Sequence, residues 1–209
     1  MKNIGTIYVI AAASGTGKTS LVKELVESFD NIVASVSYTT REQRSSERNG
    51  ENYFFVRKEE FEHMIAEQKF LEYAKVFDDY YGTSRNWVED HIDKGIDVIL
   101  EIDWQGAQQI RELLSNSVSI FILPPTLQEL RSRLETRKQD DAIIINKRLS
   151  AASEEISHCK DFDYIVVNDK FDEALVDLRS IIRSQQLRRD IQLDKQRKLL
   201  KELLQQNEE

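Results

Sequence analysis

The segment Ala12-Ala13-Ser14-Gly15-Thr16-Gly17-Lys18-Thr19-Ser20 carries the clearest chemistry in the chain. Two glycines let backbone N–H groups turn inward around a phosphate, and a following helix points its partly positive N-terminus at the same place. Lys18 is spaced to reach the β/γ-phosphates of a nucleotide, and the Thr19 hydroxyl can serve Mg²⁺. The pattern G-x-x-x-x-G-K-[ST] asks for glycine where this chain has Ala12. The bland alternative is a Gly-Thr-Gly turn ahead of a helix, with no ligand. Further along, Arg41 and Arg44 stand three apart in a polar segment, and an arginine fork suits phosphate oxygens. Glu101 and Asp103 alternate at the end of an apolar run, which puts both on one face of a strand. Arg133 and Arg137 are four apart and share a helix face, and Arg148 comes from the next helical segment.

These residues need elements to hold them. TIYVIAA (6–12) is a continuous β-branched run and predicts a buried parallel strand; LVKELVESF (21–29) has helical spacing. Strands are also expected at 32–38, at NYFFVRK, at 96–103, at 118–125 and, as a last buried strand, at 163–169. Helices are expected over 58–71, with Leu71 facing inward, over 85–94 ended by Gly95, and over 107–114, 127–137 and 145–160. From Asp172 the pattern is helical almost to the end, while 73–84 reads only as aromatic and polar. Alternation of strands and helices predicts an α/β fold with a mostly parallel sheet.

Composition narrows the function classes. The chain has 209 residues, 40% hydrophobic and 32% charged, enough for a sizeable core without disulfides. Its net charge of −8 disfavours a general nucleic-acid binder, which needs a basic face. Cys159 is the only cysteine, so no internal disulfide forms, and a cytoplasmic location is expected. No apolar run approaches the roughly 18 residues of a membrane span, so no membrane partner is expected. The short apolar N-terminus could be mistaken for a signal peptide, but it runs straight into the glycine-rich loop.

Taken in order, several segments resemble the guanylate kinase family. They are the phosphate loop, SVSYTTREQR (35–44), NGENYFF (49–55), FLEYAKVFDDYYGTS (70–84), ILEIDWQG (99–106), ILPP (122–125), RLETR (133–137), INKRLSAASEEI (145–156) and YIVVND (164–169). Together they span roughly residues 6–183. The resemblance implies a P-loop NTPase-type core with an inserted GMP-binding α+β subdomain and a helical lid. The core would take residues 1–33, 97–125 and 159–184, the GMP subdomain 34–96, and the lid 126–158, with 185–209 a helical extension. It implies ATP as phosphoryl donor, bound by residues 12–20 and Asn168, with Mg²⁺ on Thr19 and, through water, Asp103. GMP would be held by Arg41, Arg44, Tyr53 and Tyr81 at its phosphate, and by Ser37, Glu72 and Thr83 at guanine. Glu101 and Asp103 would line the GMP side, with Gly106 letting the backbone approach the nucleotide. Lys18, Arg133, Arg137 and Arg148 would stabilise the transferring phosphoryl group. The loop after Arg137 departs from the family, with Lys138 in place of glycine and QDDA in place of a Thr/Ser-Glu-rich stretch.

Some residues receive no role. His63, His91 and His158 show no metal spacing, and Trp87 and Trp104 read as packing. The tail, with Leu187, Ile191, Leu199, Leu200, Leu203 and Leu204, fits a helix on the core, an oligomer contact or a frayed extension, so the oligomeric state stays open. Two other functions compete: a non-catalytic interaction module on the same fold, and a kinase for another nucleoside monophosphate.

Overall fold

The computed structural model describes residues 4–76, 78–136 and 142–205. Its centre is a five-stranded sheet in the order β2-β7-β1-β8-β9, formed by β1 (Ile7–Ala12), β2 (Ile32–Ala34), β7 (Asp97–Glu101), β8 (Val118–Leu123) and β9 (Tyr164–Val167). Every pairing in it is parallel, with Val9 opposite Leu100 on one side and Ile10 opposite Ile120 on the other. Period-two alternation sends the side chains of β1 to both faces. Tyr8 and Ile10 pack with Leu21, Val22 and Leu25 of α1 (Lys18–Glu27) and with Ala174, Leu175, Leu178 and Ile182 of α7 (Phe171–Gln186). Ile7 and Val9 pack the other way, with Val88 of α3 (Arg85–Ile92) and Ala107 and Ile110 of α4 (Trp104–Leu113). Burial on both faces explains why these strands read as unbroken apolar runs.

A second sheet, β4-β3-β6-β5, is inserted between β2 and α3. It consists of β3 (Tyr38–Thr39), β4 (Phe54–Phe55), β5 (Phe70–Val76) and β6 (Asp79–Ser84), with α2 (Lys58–Ala66) beside it. Phe61 of α2 stacks on Phe70 at 4.4 Å and on Tyr80 at 5.4 Å, so aromatic packing anchors this small unit. Two further helices, α5 (Leu127–Thr136) and α6 (Ala142–Ser157), pack over the phosphate loop through Leu130, Leu134 and Ala152 against Ala13.

The structure corrects the sequence reading at three places, the run 32–38, the helix over 58–71 and the last strand, and adds detail to 73–84 and to the tail. The run 32–38 is two strands, not one: β2 pairs in the central sheet, and β3 joins the second sheet. The helix expected through Leu71 stops at Ala66, and Gln68 takes a left-handed φ of 55°. Leu71 then lies on β5, buried under the central sheet. The aromatic segment 73–84 lies almost wholly in the antiparallel pair β5–β6. The last strand, β9, is an edge strand with Ile165 and Val167 about half exposed, not a strand buried on both faces. From Asp172 the chain is helical through Gln205 apart from short breaks, as its pattern predicts. The tail forms α8 (Arg189–Lys195) and α9 (Arg197–Gln205), and Gln192 Nε2 donates to the Gln186 carbonyl at the end of α7.

Candidate active site

The phosphate loop joins β1 to α1, as its sequence demands. Gly17, the residue before α1, has φ 97°, a left-handed conformation that L side chains rarely adopt. A β-carbon there would also stand 2.6 Å from Asn168 Nδ2. Among the described residues no side chain caps α1 and no acidic residue occupies its first turn. No described side chain therefore competes for the first N–H groups of the helix, an arrangement that suits an anion. The loop itself is tied down. Thr16 Oγ1 donates to the Ala13 carbonyl at 2.6 Å, and Asn168 Nδ2 donates to the Thr16 carbonyl at 2.7 Å. Arg133 closes the same knot: Nη1 donates to the Thr16 carbonyl, Nη2 to the Asn168 carbonyl, and Nε to Glu129. The Ser14 N–H donates to Glu155 Oε2 of α6 at 3.2 Å, so the lid-region helix touches the loop directly.

Lys18 and Thr19 lie where β7 ends. Lys18 Nζ donates to the Ile102 carbonyl at 2.9 Å, and Thr19 Oγ1 donates to Glu101. Asp103 behaves differently from Glu101. It caps α4, Oδ1 accepting from the Gly106 N–H at 3.0 Å and Oδ2 from Gln105 Nε2 at 3.1 Å.

On the second sheet the register pairs Glu72 with Thr83 and Tyr38 with Gly82. That draws Ser37, the residue before β3, toward Thr83 of β6 and Glu72 of β5, and all three are buried. Thr83 Oγ1 donates to Glu72 Oε1 at 2.5 Å. Burial pushes the Glu72 carboxyl up to about 7, with the nearby Asp103 charge acting in the same direction and the Thr83 hydrogen bond opposing. A β-carbon on Gly106 would fall 2.3 Å from Glu72 Oε2, so any larger residue there would have to displace the buried carboxyl. The insertion thus reaches back to the core at the first turn of α4.

Beyond these three, Arg41 lies over the rings of Tyr53 and Phe55 at 5.5 and 5.7 Å and donates to Glu47 Oε1 at 2.7 Å. The Arg44 N–H donates to Glu47 Oε2. Tyr53 and Tyr81 meet edge to face at 5.8 Å. Burial, helped by the Glu101 charge, pushes the Tyr53 hydroxyl up to about 12, so it stays a neutral donor.

A family model described as guanylate kinase matches residues 4–185. The chain belongs to the guanylate kinase family. A guanylate kinase of Saccharophagus degradans is 51% identical over 204 residues, covering 98% of this chain and all of that one. One of Aliivibrio fischeri is 51% identical over 202 residues, covering 96% and 98%. A crystal structure of guanylate kinase from Anaplasma phagocytophilum has a TM-score of 0.77 at 39% identity, covering 90% of this chain and 89% of that one. The family model ends at residue 185, while the alignment to the first relative, covering 98% of the chain, runs on through most of 185–209.

The guanylate kinase fold gathers the sequence-chosen residues into two neighbouring clusters. Residues 12–20, Glu101, Arg133 and Asn168 form the first; Ser37, Arg41, Arg44, Tyr53, Glu72, Tyr81 and Thr83 line the second. Arg137 and the Arg148 side chain lie outside the described residues. Three neighbourhoods differ from what the resemblance assigns. Glu101, assigned to the GMP side, meets the Thr19 hydroxyl, whereas Asp103, assigned both to the GMP side and through water to the metal, caps a helix beside Glu72. Asn168, assigned to the adenine edge, is 4% exposed and holds the phosphate loop. Gly106 makes room for Glu72, where the sequence reading expects a nucleotide. Sequence reasoning missed Glu47 and Glu155 altogether. Glu47 could have been found from its place three residues after Arg44 in a charged loop.

The Gly106 contact gives a prediction. Overpacking a well-filled site costs about 1–3 kcal/mol, and Gly106→Ala has the buried Glu72 as its obstacle. Thermal melts should show a lower Tm, and the KM for GMP should rise while that for ATP holds. An unchanged KM for GMP would mean that Glu72 shifts without consequence.

Proposed function

We propose that this chain transfers the γ-phosphoryl group of ATP to GMP, giving ADP and GDP, with the first cluster as the ATP site and the second as the GMP site. ATP phosphates would sit against the N-terminus of α1, with Lys18 at the β/γ-phosphates. The second sheet would present GMP from the opposite side, Arg41, Arg44, Tyr53 and Tyr81 meeting its phosphate. A phosphate oxygen of GMP would then attack the γ-phosphorus in line, so the protein needs no nucleophile of its own. Its work is alignment and positive charge, from Lys18 and the arginines at 133, 137 and 148. Closure of the 34–96 and 126–158 segments on the core would exclude water.

The buried Glu72–Thr83 pair carries the base assignment. Guanine offers two donors, N1–H and the 2-amino group, beside an O6 acceptor. A carboxylate accepts the first two, and a hydroxyl of Ser37 or Thr83 donates to the third. Adenine lacks N1–H and replaces O6 with a donor, so it would leave buried groups unpaired. For Mg²⁺, the Thr19 hydroxyl and the Glu101 carboxylate form an adjacent pair of hard oxygen donors at the phosphate loop, which fits that ion. When bound, Mg²⁺ would neutralise developing charge on the β- and γ-oxygens. A cytoplasmic location is our inference from the single cysteine; among the described residues no helix is long and apolar enough to cross a membrane.

Coupled ADP release with ATP, Mg²⁺ and each of GMP, AMP, CMP and UMP tests the reading. GMP should be preferred over AMP by a factor of about 10⁴ in kcat/KM. Equal rates on AMP would remove the base assignment, and folded protein without turnover on any nucleotide would point to an interaction module.

A further inference from the structure

The loop between β3 and β4 holds three arginines and three glutamates, and they do not pair alike. Arg48 meets Glu51 at 3.6 Å with both side chains well exposed, an ion pair of little consequence. Glu47 is different. Its side chain is 13% exposed, and one carboxylate serves two arginines. Oε1 takes Nη2 of Arg41 at 2.7 Å and lies 3.8 Å from Nη1 of Arg44, while Oε2 takes the Arg44 backbone N–H at 2.9 Å. Burial alone would push this carboxyl up, but the Arg41 hydrogen bond and the Arg44 N–H hold it below the ordinary range, so it is charged at neutral pH.

A carboxylate beside a dianion site is costly by simple charge counting. Arg41, Arg44 and Glu47 together carry only +1. The arrangement makes sense if holding the arginines in place outweighs the repulsion. A free arginine side chain carries about 2 kcal/mol of rotamer entropy, which a phosphate would otherwise have to offset on binding. Here Arg41 is fixed on four sides: Nη2 on Glu47, Nη1 on the Glu42 carbonyl at 2.7 Å, and the rings of Tyr53 and Phe55 against its carbon. The two hydrogen bonds engage two of the five guanidinium N–H donors. The Arg44 backbone is fixed through the other carboxylate oxygen.

We propose that Glu47 is a positioning residue for the phosphate arm of the GMP site, its carboxylate setting Arg41 and the Arg44 backbone in binding geometry before the nucleotide arrives. This rests on the reading of the second cluster as a GMP site. It acts through the arginines and does not touch the substrate.

Calorimetric titrations of wild type, Glu47→Gln and Glu47→Ala with GMP and with guanosine test it, alongside KM and kcat. Loss of a charge-assisted hydrogen bond predicts that Glu47→Ala weakens GMP about 10- to 100-fold. Guanosine affinity and the KM for ATP should stay put, because neither ligand uses the phosphate arm. kcat at saturating GMP should change less than about threefold. Glu47→Gln should recover part of the affinity, since its amide oxygen still accepts the Arg44 N–H. Unchanged or tighter GMP binding in Glu47→Ala would show that the carboxylate only repels phosphate and would overturn the proposal. So would equal weakening of GMP and guanosine, the mark of a general loop defect. A wild type that binds guanosine and GMP alike, or neither, would instead remove the GMP-site reading beneath it.

Discussion

Lys18→Ala should lower kcat by about 10²–10³, the usual cost of removing one fixed donor from a site where charge develops. The fold should survive the change. Lys18 Nζ donates to the Ile102 carbonyl, and losing one such bond costs about 1–2 kcal/mol. That same bond anchors the ammonium at the carboxyl end of β7, beside the Glu101 that holds Thr19. Lys18→Arg should not rescue the rate, because a planar fork cannot replace a compact charge on this loop. The check is steady-state turnover with saturating ATP and GMP, together with a melting curve. A variant with near wild-type kcat would mean that the loop does not hold the transferring phosphates.

How much of this was legible depends on how local each signal is. The phosphate loop is a contiguous strand, turn and helix, and its glycines, lysine and threonine declare themselves within eight residues. Glu72 is the opposite case. It sits on β5, where a register irregularity between Phe70 and Glu72 leaves Phe70, Leu71 and Glu72 all buried in succession. A strand that hides a carboxyl and breaks its own alternation at its start has no period to read there, so a helical reading of 58–71 runs on into Phe70 and Leu71. Only the family resemblance marked Glu72. Glu101 and Asp103 fail for a third reason. Period two holds along a strand, but β7 ends at Glu101, and Asp103 already belongs to the next helix as its cap. The contacts of Glu47, Glu155 and Asn168 join segments far apart in sequence or lie in an irregular loop, and no pattern rule reaches them.

Glu72→Gln should raise the KM for GMP about 10- to 100-fold while leaving that for ATP alone, since it puts an amide where two guanine donors need acceptors. The wild-type pH profile should carry the same residue's signature. In the folded chain the Glu72 carboxyl titrates near 7, against 4.5 for an ordinary glutamate. Guanine needs the carboxylate, so the KM for GMP should climb as pH falls below 7, by up to about tenfold per unit. Stability runs the other way. The folded state keeps this proton up to about pH 7 and the unfolded state releases it near 4.5, so the contribution is full below 4.5 and lost as pH rises through 7. Over that window the loss is about 3 kcal/mol. Glutamine carries no titrating group, so the variant should lack this loss and melt at or above wild type at pH 8. The GMP phosphate itself titrates near pH 6, and it does so for both proteins. The slope that remains in the variant therefore belongs to the phosphate, and the difference between the two profiles belongs to Glu72. Parallel profiles would place the base-reading group elsewhere. A steeper wild-type profile, joined to lower wild-type stability at pH 8, would tie guanine recognition and the cost of burying a charge to one carboxyl: the fold keeps Glu72 buried against Gly106 at a cost to its own stability, and guanine, by donating to that carboxylate, recovers part of it on binding.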